Sequence, residues 1–356
     1  MIDFLIIGGG IAGVSAAARL SELGSVTLLE AEDELAYHAS GRSAALFEEN
    51  YGKPSTVALN QASRDYHKSA DVLHPRGLLL VGSPANAEFF AEDQAMMKLD
   101  PITMAQAKAL IPTLDTEKID RAAYDADAWD IDTDKLIQSF ARRARASGAT
   151  IATKQPVQEI IRTNSGWTVT TAQGSYTTKN IINAAGAWVD QIAEMAGIAP
   201  LGFTPLRRSM ARIPAPDGMT VDKWPMLFGP GEDWYAKPDA GALIVSPADE
   251  DPVAPHDAYA EDLTLAEGLD RYAAHVTTPV TRLLSSWAGL RTFAPDRTLV
   301  LGPDPKEPSF IWCAGQGGYG MQSSPGASEL LADLIAGRPS ALDNITIAAL
   351  SPARFA

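Results

Sequence analysis

Residues 2–30, IDFLIIGGGIAGVSAAARLSELGSVTLLE, decide how the rest of the chain is read. The opening IDFLII has the continuous apolar character of a short buried strand, and Ile11 to Leu23 reads as a helix with small residues on one side. Between them Gly8, Gly10 and Gly13 stand in the spacing G-x-G-x-x-G. The first glycine permits a tight turn, the second brings bare backbone up to a pyrophosphate, and the third lets helix and strand pack closely. The helix N-terminus, at Ile11 and Ala12, then offers free N–H groups and a partial positive charge to phosphates. A second strand ends at Glu30, followed by Ala31. That carboxylate is placed to accept hydrogen bonds from a ribose diol, which disfavours a 2′-phosphorylated nucleotide. Strand, glycines, helix, strand and acid in register predict a dinucleotide site. FAD and NAD share this fingerprint, and these residues do not choose between them.

The chain has 356 residues, enough for two domains or one large two-lobed domain. With 29 basic and 44 acidic residues its formal charge is −15, and no cluster of Lys or Arg forms a phosphate-tracking stripe, which disfavours nucleic acid as a partner. A single cysteine, Cys313, excludes an internal disulfide framework and a Cys-rich zinc cluster, and it suits a reducing cytoplasm. Residues 4–18 are apolar apart from Ser15, but no basic segment precedes them and the nucleotide fold explains their glycines. The expectation is a cytoplasmic protein with no export signal and no membrane span.

Beyond the opening unit, residues 60–67 read as helix, GLLLVG (77–82) as strand, and 86–112 as helices of a peripheral lobe. A helix starts at Asp132 or Thr133 and stops at Gly148. PVQEIIRT, GWTVTTA and TTKNIINAAGAW form a β-meander ending in Ala184, Ala185 and Gly186, small residues that let backbone lie against a ligand. Residues 204–286 alternate short strands with Pro/Gly turns, and the chain from Trp287 returns to strand, glycine-rich turn and helix. The fold expected is α/β (α+β overall): a doubly wound, Rossmann-type nucleotide domain with an inserted antiparallel-sheet substrate domain. The nucleotide domain takes 1–74, 141–203 and 287–356; the substrate domain takes 75–140 and 204–286.

The order of GGGIAG with Glu30, HASGRSAA (38–45), DIDTD (130–134), NAAGAW (183–188), RRS (207–209), YAKPD (235–239), WAGLR (287–291) and GQGGYGMQ (315–322) resembles the D-amino-acid oxidase superfamily, nearest to its bacterial D-arginine dehydrogenases. The resemblance spans essentially the whole chain and implies non-covalent FAD rather than NAD. It assigns to the cofactor Gly8, Gly10, Ile11, Ala12, Gly13, Glu30, Ala31, Arg42, Ser43, Ala44, Val157 through its backbone, Ala185, Gly186 and Trp188. The glycine-rich turn Gly317, Gly318, Tyr319, Gly320, Met321 and Gln322 joins them, with Gly289 and Arg291. A turn of that kind, running into a helix, also supplies N–H groups and helix-end charge to the flavin pyrimidine.

The implied reaction is oxidative deamination of a D-amino acid by hydride transfer from Cα to the flavin. Positioning carries it, with no metal and no protein nucleophile. Arginine suits a substrate carboxylate because its planar fork binds bidentately. The resemblance assigns that grip to Arg208 and Arg291, with Tyr51 and Tyr235 beside them, Gln322 orienting the substrate and the Gly289 carbonyl accepting from the amine; Arg207 reads as a surface or structural cation. A quinone-type or other non-oxygen electron acceptor is implied.

Two stretches depart from the resembled pattern. The loop SAALFEENYG (43–52) reads as a lid, but Leu46, Phe47 and Glu48 stand where the resembled enzymes carry His-Tyr-Thr; Tyr51 keeps its place. Leu78 stands where a Glu would pair with a guanidinium, which speaks against D-arginine. Leu46, Leu78, Met226 and Phe228, with Gly318, predict an apolar side-chain pocket. Glu48 has two readings: inward, favouring an amine-bearing substrate, or outward as a solvated loop acid, the preferred one. The alternatives to D-amino-acid oxidation are oxidation of a sarcosine-like or opine-like N-substituted amino acid and, from another class, a catalytically silent flavoprotein.

Overall fold

A computed structural model describes residues 1–356. Strand Ile2–Ile7 runs parallel to Val26–Leu29 on one side and to the end of Gly174–Asn183 on the other. Thr150–Ala152 extends this eight-stranded sheet at one edge, the predicted meander extends it at the other, and Phe310–Ala314 joins it in parallel beside Asn183. The continuous apolar run of the first strand is explained by coverage of both faces. Phe4 and Ile6 pack with helices Ile11–Leu20, Thr133–Ala146 and Gly320–Ala336; Leu5 and Ile7 pack with Trp167, Ile181, Val189 and Trp312.

The second sheet is mixed and nine-stranded. Thr204–Pro214, eleven residues long, pairs antiparallel with Ser285–Phe293 and with Ala242–Ser246; the order then runs through Tyr235–Asp239, Met226–Phe228, Leu78–Gly82, Arg121–Asp125 and Asp100–Ile102. Side chains alternate across it with period two. Leu79, Val81, Leu227 and Ala236 enter an outer core with Trp224 and Trp234, whereas Leu78, Leu80, Met226, Phe228 and Tyr235 pack on the opposite face with Phe90, Met97 and Leu99 and against Leu46 and Tyr51.

Four elements differ from the sequence expectation. The helix assigned across residues 133–140 to the inserted lobe packs on helix 11–20, its Leu136, Ile137, Phe140 and Ala144 completing the nucleotide-side core. Ser285–Phe293, placed from residue 287 with the nucleotide domain, is hydrogen-bonded to the second sheet. The stretch 204–286 contains a helix, Asp262–Ala273, as well as strands. The lid is not a free loop: Leu46–Phe47 pairs with Trp129 and Asp130 in a small third sheet. No helix is long and apolar enough to cross a membrane.

Candidate active site

The crevice between the sheets holds three adjoining cavities, and the glycine turn after the first strand opens the largest, of about 390 Å³. Gly8 has φ +109°, and a Cβ there would lie 2.4 Å from the Ala184 carbonyl oxygen, so only glycine fits. Helix 11–20 has no side-chain cap from Gly10; instead the Ile11 N–H donates to Ser40 Oγ at 3.0 Å. Glu30, buried, accepts from the Gly9 N–H at 2.5 Å and the Glu32 N–H at 2.9 Å, which fixes its carboxylate in the cavity wall. Gly8, Gly10, Ala31, Val157, Ala185, Gly186 and Trp188 line the same cavity. Gly13 lines none; a Cβ there would meet the Gly8 oxygen at 1.9 Å, so its part is helix–strand packing.

A second cavity, about 130 Å³, shares Gly10, Arg42, Ala184, Gly186 and Gly289 with the first and continues along Ile11, Ala12, Ser43, Ala44, Gly317, Gly318, Gly320 and Met321. Tyr319 lines none of the three and packs on Tyr51 instead, with ring centroids 5.2 Å apart. The Arg42 guanidinium is committed to the carbonyls of Ala258 and Ala288 and to Asp257, tying residues 37–42 to the second lobe. Cys313 lies in this wall, and burial pushes its thiol up to about 12, which keeps it protonated.

The third cavity, about 80 Å³, joins the second through Ser43, Ala44, Arg208, Arg291, Gly318 and Met321. Strand register brings the two arginines together. Arg208 pairs with Gly289 and Arg291 with Leu206, so both lie on the same face two residues apart across neighbouring strands. Arg207 pairs with Leu290 on the opposite face, where Asp249, Asp251 and Glu261 neutralise it. Arg208 is buried and donates to Glu250 at 3.1 Å, leaving its Nε without a partner. Arg291 lies against Gly318, where a Cβ would come within 2.9 Å of Nη1, and its guanidinium is without hydrogen-bond or ion-pair partners. Burial opposes its charge, but Tyr235, Tyr51 and Glu232 outweigh that and raise its pKa above the ordinary arginine value.

Leu46, Leu78, Met226, Phe228 and Tyr235 line this chamber, as do Tyr51 and Gln322. The Tyr235 hydroxyl points at Met210 Sδ, 3.6 Å away, and the Tyr51 hydroxyl donates to Glu232 Oε1 at 2.5 Å. Burial, with Glu232 beside it, raises the Tyr51 hydroxyl well above its usual range. Glu48 overturns the preferred outward reading. Strand alternation sends Leu46 and Glu48 to the chamber and Phe47 to the core, and Glu48 is 3% exposed. Glu232 and Met97 also line the chamber without having been singled out. Glu232 sits in the turn GPGED with φ +54°, and such a turn carries no sign of which chamber it borders.

Set end to end, the acid-fixed cavity with its Gly8–Gly10 turn, the middle cavity walled by the 317–321 turn and the cationic chamber suit the adenosine diphosphate half of a dinucleotide, a flavin and a substrate in turn. The chain matches the family model described as "FAD dependent oxidoreductase" over residues 3–334. It belongs to that family. Its cofactor is FAD.

Among similar proteins, FAD-dependent oxidoreductase domain-containing protein 1 of Bos taurus is 23% identical over 94% of this chain and 81% of its own length. Human mitochondrial dimethylglycine dehydrogenase is 24% identical over 94% of this chain, which spans 42% of that longer protein. Glycine oxidase of Bacillus licheniformis is 25% identical, covering 95% and 94% of the two chains. Glycine oxidase from Geobacillus kaustophilus shares the fold with a TM-score of 0.82 at 21% identity, and iminodiacetate oxidase from Chelativorans sp. BNC1 with 0.80 at 20%; each comparison covers 98% of both chains. These relatives do not single out the D-arginine dehydrogenase branch, and the reading nearest to that branch gives way to the broader family.

Proposed function

We propose that the protein oxidises a small N-substituted amino acid at a carbon bonded to the amine nitrogen. The observation that carries this reading is Arg291: a guanidinium without a protein partner at the wall shared by the cofactor cavity and the chamber, suited to a carboxylate. The substrates named for dimethylglycine dehydrogenase, glycine oxidase and iminodiacetate oxidase support a glycine-like core with or without substituents on nitrogen.

FAD, when bound, accepts the hydride. Arg291 holds the substrate carboxylate in its fork, and the free Nε of buried Arg208 adds a second donor. The Gly289 carbonyl, in the middle cavity, is the acceptor assigned to the amine N–H, and Gln322, whose Nε2 has no partner, is a donor for orienting the substrate. Leu46, Leu78, Met226, Phe228 and Tyr51 exclude water from the substituent. The amine releases a proton before oxidation; its lone pair forms the C=N bond as the hydride leaves. Water then adds to that carbon and the C–N bond breaks, giving an amine and a carbonyl compound.

Oxidation of a D-amino acid with a neutral side chain is the second reading, favoured by the apolar wall of Leu78, Met226 and Phe228. Anaerobic mixing of the FAD-loaded protein with N-substituted glycines, glycine and a D-amino-acid panel tests both. Bleaching of the flavin by the N-substituted glycines with the higher ratio of reduction rate to Kd supports the first reading. Higher values for D-alanine-like substrates reverse the order, and bleaching by none contradicts both.

A further inference from the structure

Glu48 is the chamber's unexplained group. It is 3% exposed, it lines the cavity, and its Oε2 has no hydrogen-bond partner. Its Oε1 accepts from the Asn50 N–H at 2.9 Å and from Asn50 Nδ2 at 3.4 Å, while its own N–H donates to Gln322 Oε1 at 3.2 Å. Asn50 thus holds Oε1, while Oε2 finds no donor and the Asp125 carboxyl lies within hydrogen-bond reach of the group. A buried unpartnered oxygen of this kind costs free energy that an apolar side chain would avoid.

Its position lies across the sheet from the two arginines. Arg291 and Arg208 stand on neighbouring strands at one side of the second sheet, whereas Leu78 pairs with Asp125 toward the other. Glu48 lies at that other side, where burial first and the Asp125 carboxylate second push it up to about 8. A cation arriving there would offset both effects and let Glu48 ionise as its partner.

We propose that Glu48 is a specificity-determining residue that receives a second, ammonium-bearing end of the substrate while Arg291 holds the carboxylate. This rests on the carboxylate grip of the preceding reading. The favoured substrate class is therefore a short amino acid whose N-substituent or side chain ends in an ammonium group. The apolar walls of Leu46, Leu78, Met226 and Phe228 contact the methylenes between the two charges.

The test separates the subsite from turnover. Calorimetric titration of the FAD-loaded protein compares straight-chain ω-aminocarboxylates of three to six carbons with alkanoates of matching length. The ω-amino compound binds at least about tenfold tighter at one chain length in the unaltered protein, and Glu48→Gln, close in shape, brings the ratio within about threefold without weakening the alkanoate. Glu48→Asp, which keeps the charge on a shorter stem, retains part of the preference and guards against a Gln variant that folds poorly. Equal binding of the two series by the unaltered protein, or a ratio unchanged in Glu48→Gln, overturns the assignment to Glu48 alone. Failure of both series to bind overturns the Arg291 reading and this proposal with it.

Discussion

The cofactor end of the crevice and the substrate chamber are fixed by different means. Around Gly8 and Glu30 the cavity is shaped by backbone: a left-handed glycine against Ala184, a helix start, and a carboxylate clasped by two N–H groups, mostly within one βαβ unit. Around Arg291 it is shaped by side chains from the strap at 43–51, strands 78–82, 204–214, 226–228, 235–239 and 285–293, and the turn at 318–322. Backbone-built sites tolerate no change of shape. Side-chain-built sites can change what they bind while the fold stays.

Gly8→Val breaks the first side of that contrast most severely. Its Cβ would strike the Ala184 carbonyl in a backbone conformation valine avoids, so the purified variant retains no yellow colour, read as the ratio of flavin to protein absorbance. Full flavin content would contradict a backbone-built cofactor site. Next comes Arg207→Met, the same residue type on the opposite face of the strand that carries Arg208. It removes the cation beside Asp249, whose side chain is 5% exposed and keeps its hydrogen bonds from Ser209, and lowers unfolding stability by about 1 kcal/mol, discounted further because Asp251 and Glu261 are largely solvated. KM for any amine substrate stays unchanged, and a raised KM would show that the two faces are not separate.

Glu30→Ala should weaken FAD binding by about tenfold, because the Gly9 and Glu32 N–H groups that shape the cavity wall lose their acceptor together. Equilibrium dialysis of the reloaded protein measures it, and unchanged affinity would remove Glu30 from the cofactor site. The smallest effect is on pH dependence. Glu48, whose pKa is raised by burial, contributes stability that is full below the ordinary glutamate value of 4.5 and declines as pH rises to about 8. His67, pushed down to about 4 by burial, contributes stability that is full above 6.5 and is lost as pH falls, so it does not alter the slope above 6.5. Asp125, Asn50 and Gln322 surround Glu48, with Tyr51, Glu232, Arg208 and Arg291 across the chamber. Between pH 6.5 and 8 the Tm of the cofactor-free protein falls less in Glu48→Gln than in the unaltered chain. Parallel curves would place the Glu48 proton elsewhere.

The same contrast explains what could be read from sequence. Gly8, Gly13 and Glu30 are legible because turn, helix and strand geometry are local, so spacing alone implies their juxtaposition. Parity along 204–214 separates Arg208 from Arg207 once the partner strand is known, and that partner begins more than seventy residues later, at Ser285. The inward turn of Glu48 depends on Leu46–Phe47 pairing with Trp129 and Asp130, a two-residue ladder too short to leave a pattern. Glu232 reaches the chamber from a turn whose composition speaks only of a turn. The helix at 262–273 was hidden among strand and turn signals, its packing supplied by Pro247 and the sheet beneath it.

The central claim is that Arg291 is the carboxylate receptor. Titrating the FAD-loaded protein with a non-oxidisable carboxylate such as propanoate, and following the flavin spectrum, measures it directly. Arg291→Met with flavin still bound should weaken that binding by about a hundredfold, the loss of a charge-assisted bidentate pair, while Arg207→Met leaves it intact. Equal affinities in Arg291→Met and the unaltered protein would contradict the account.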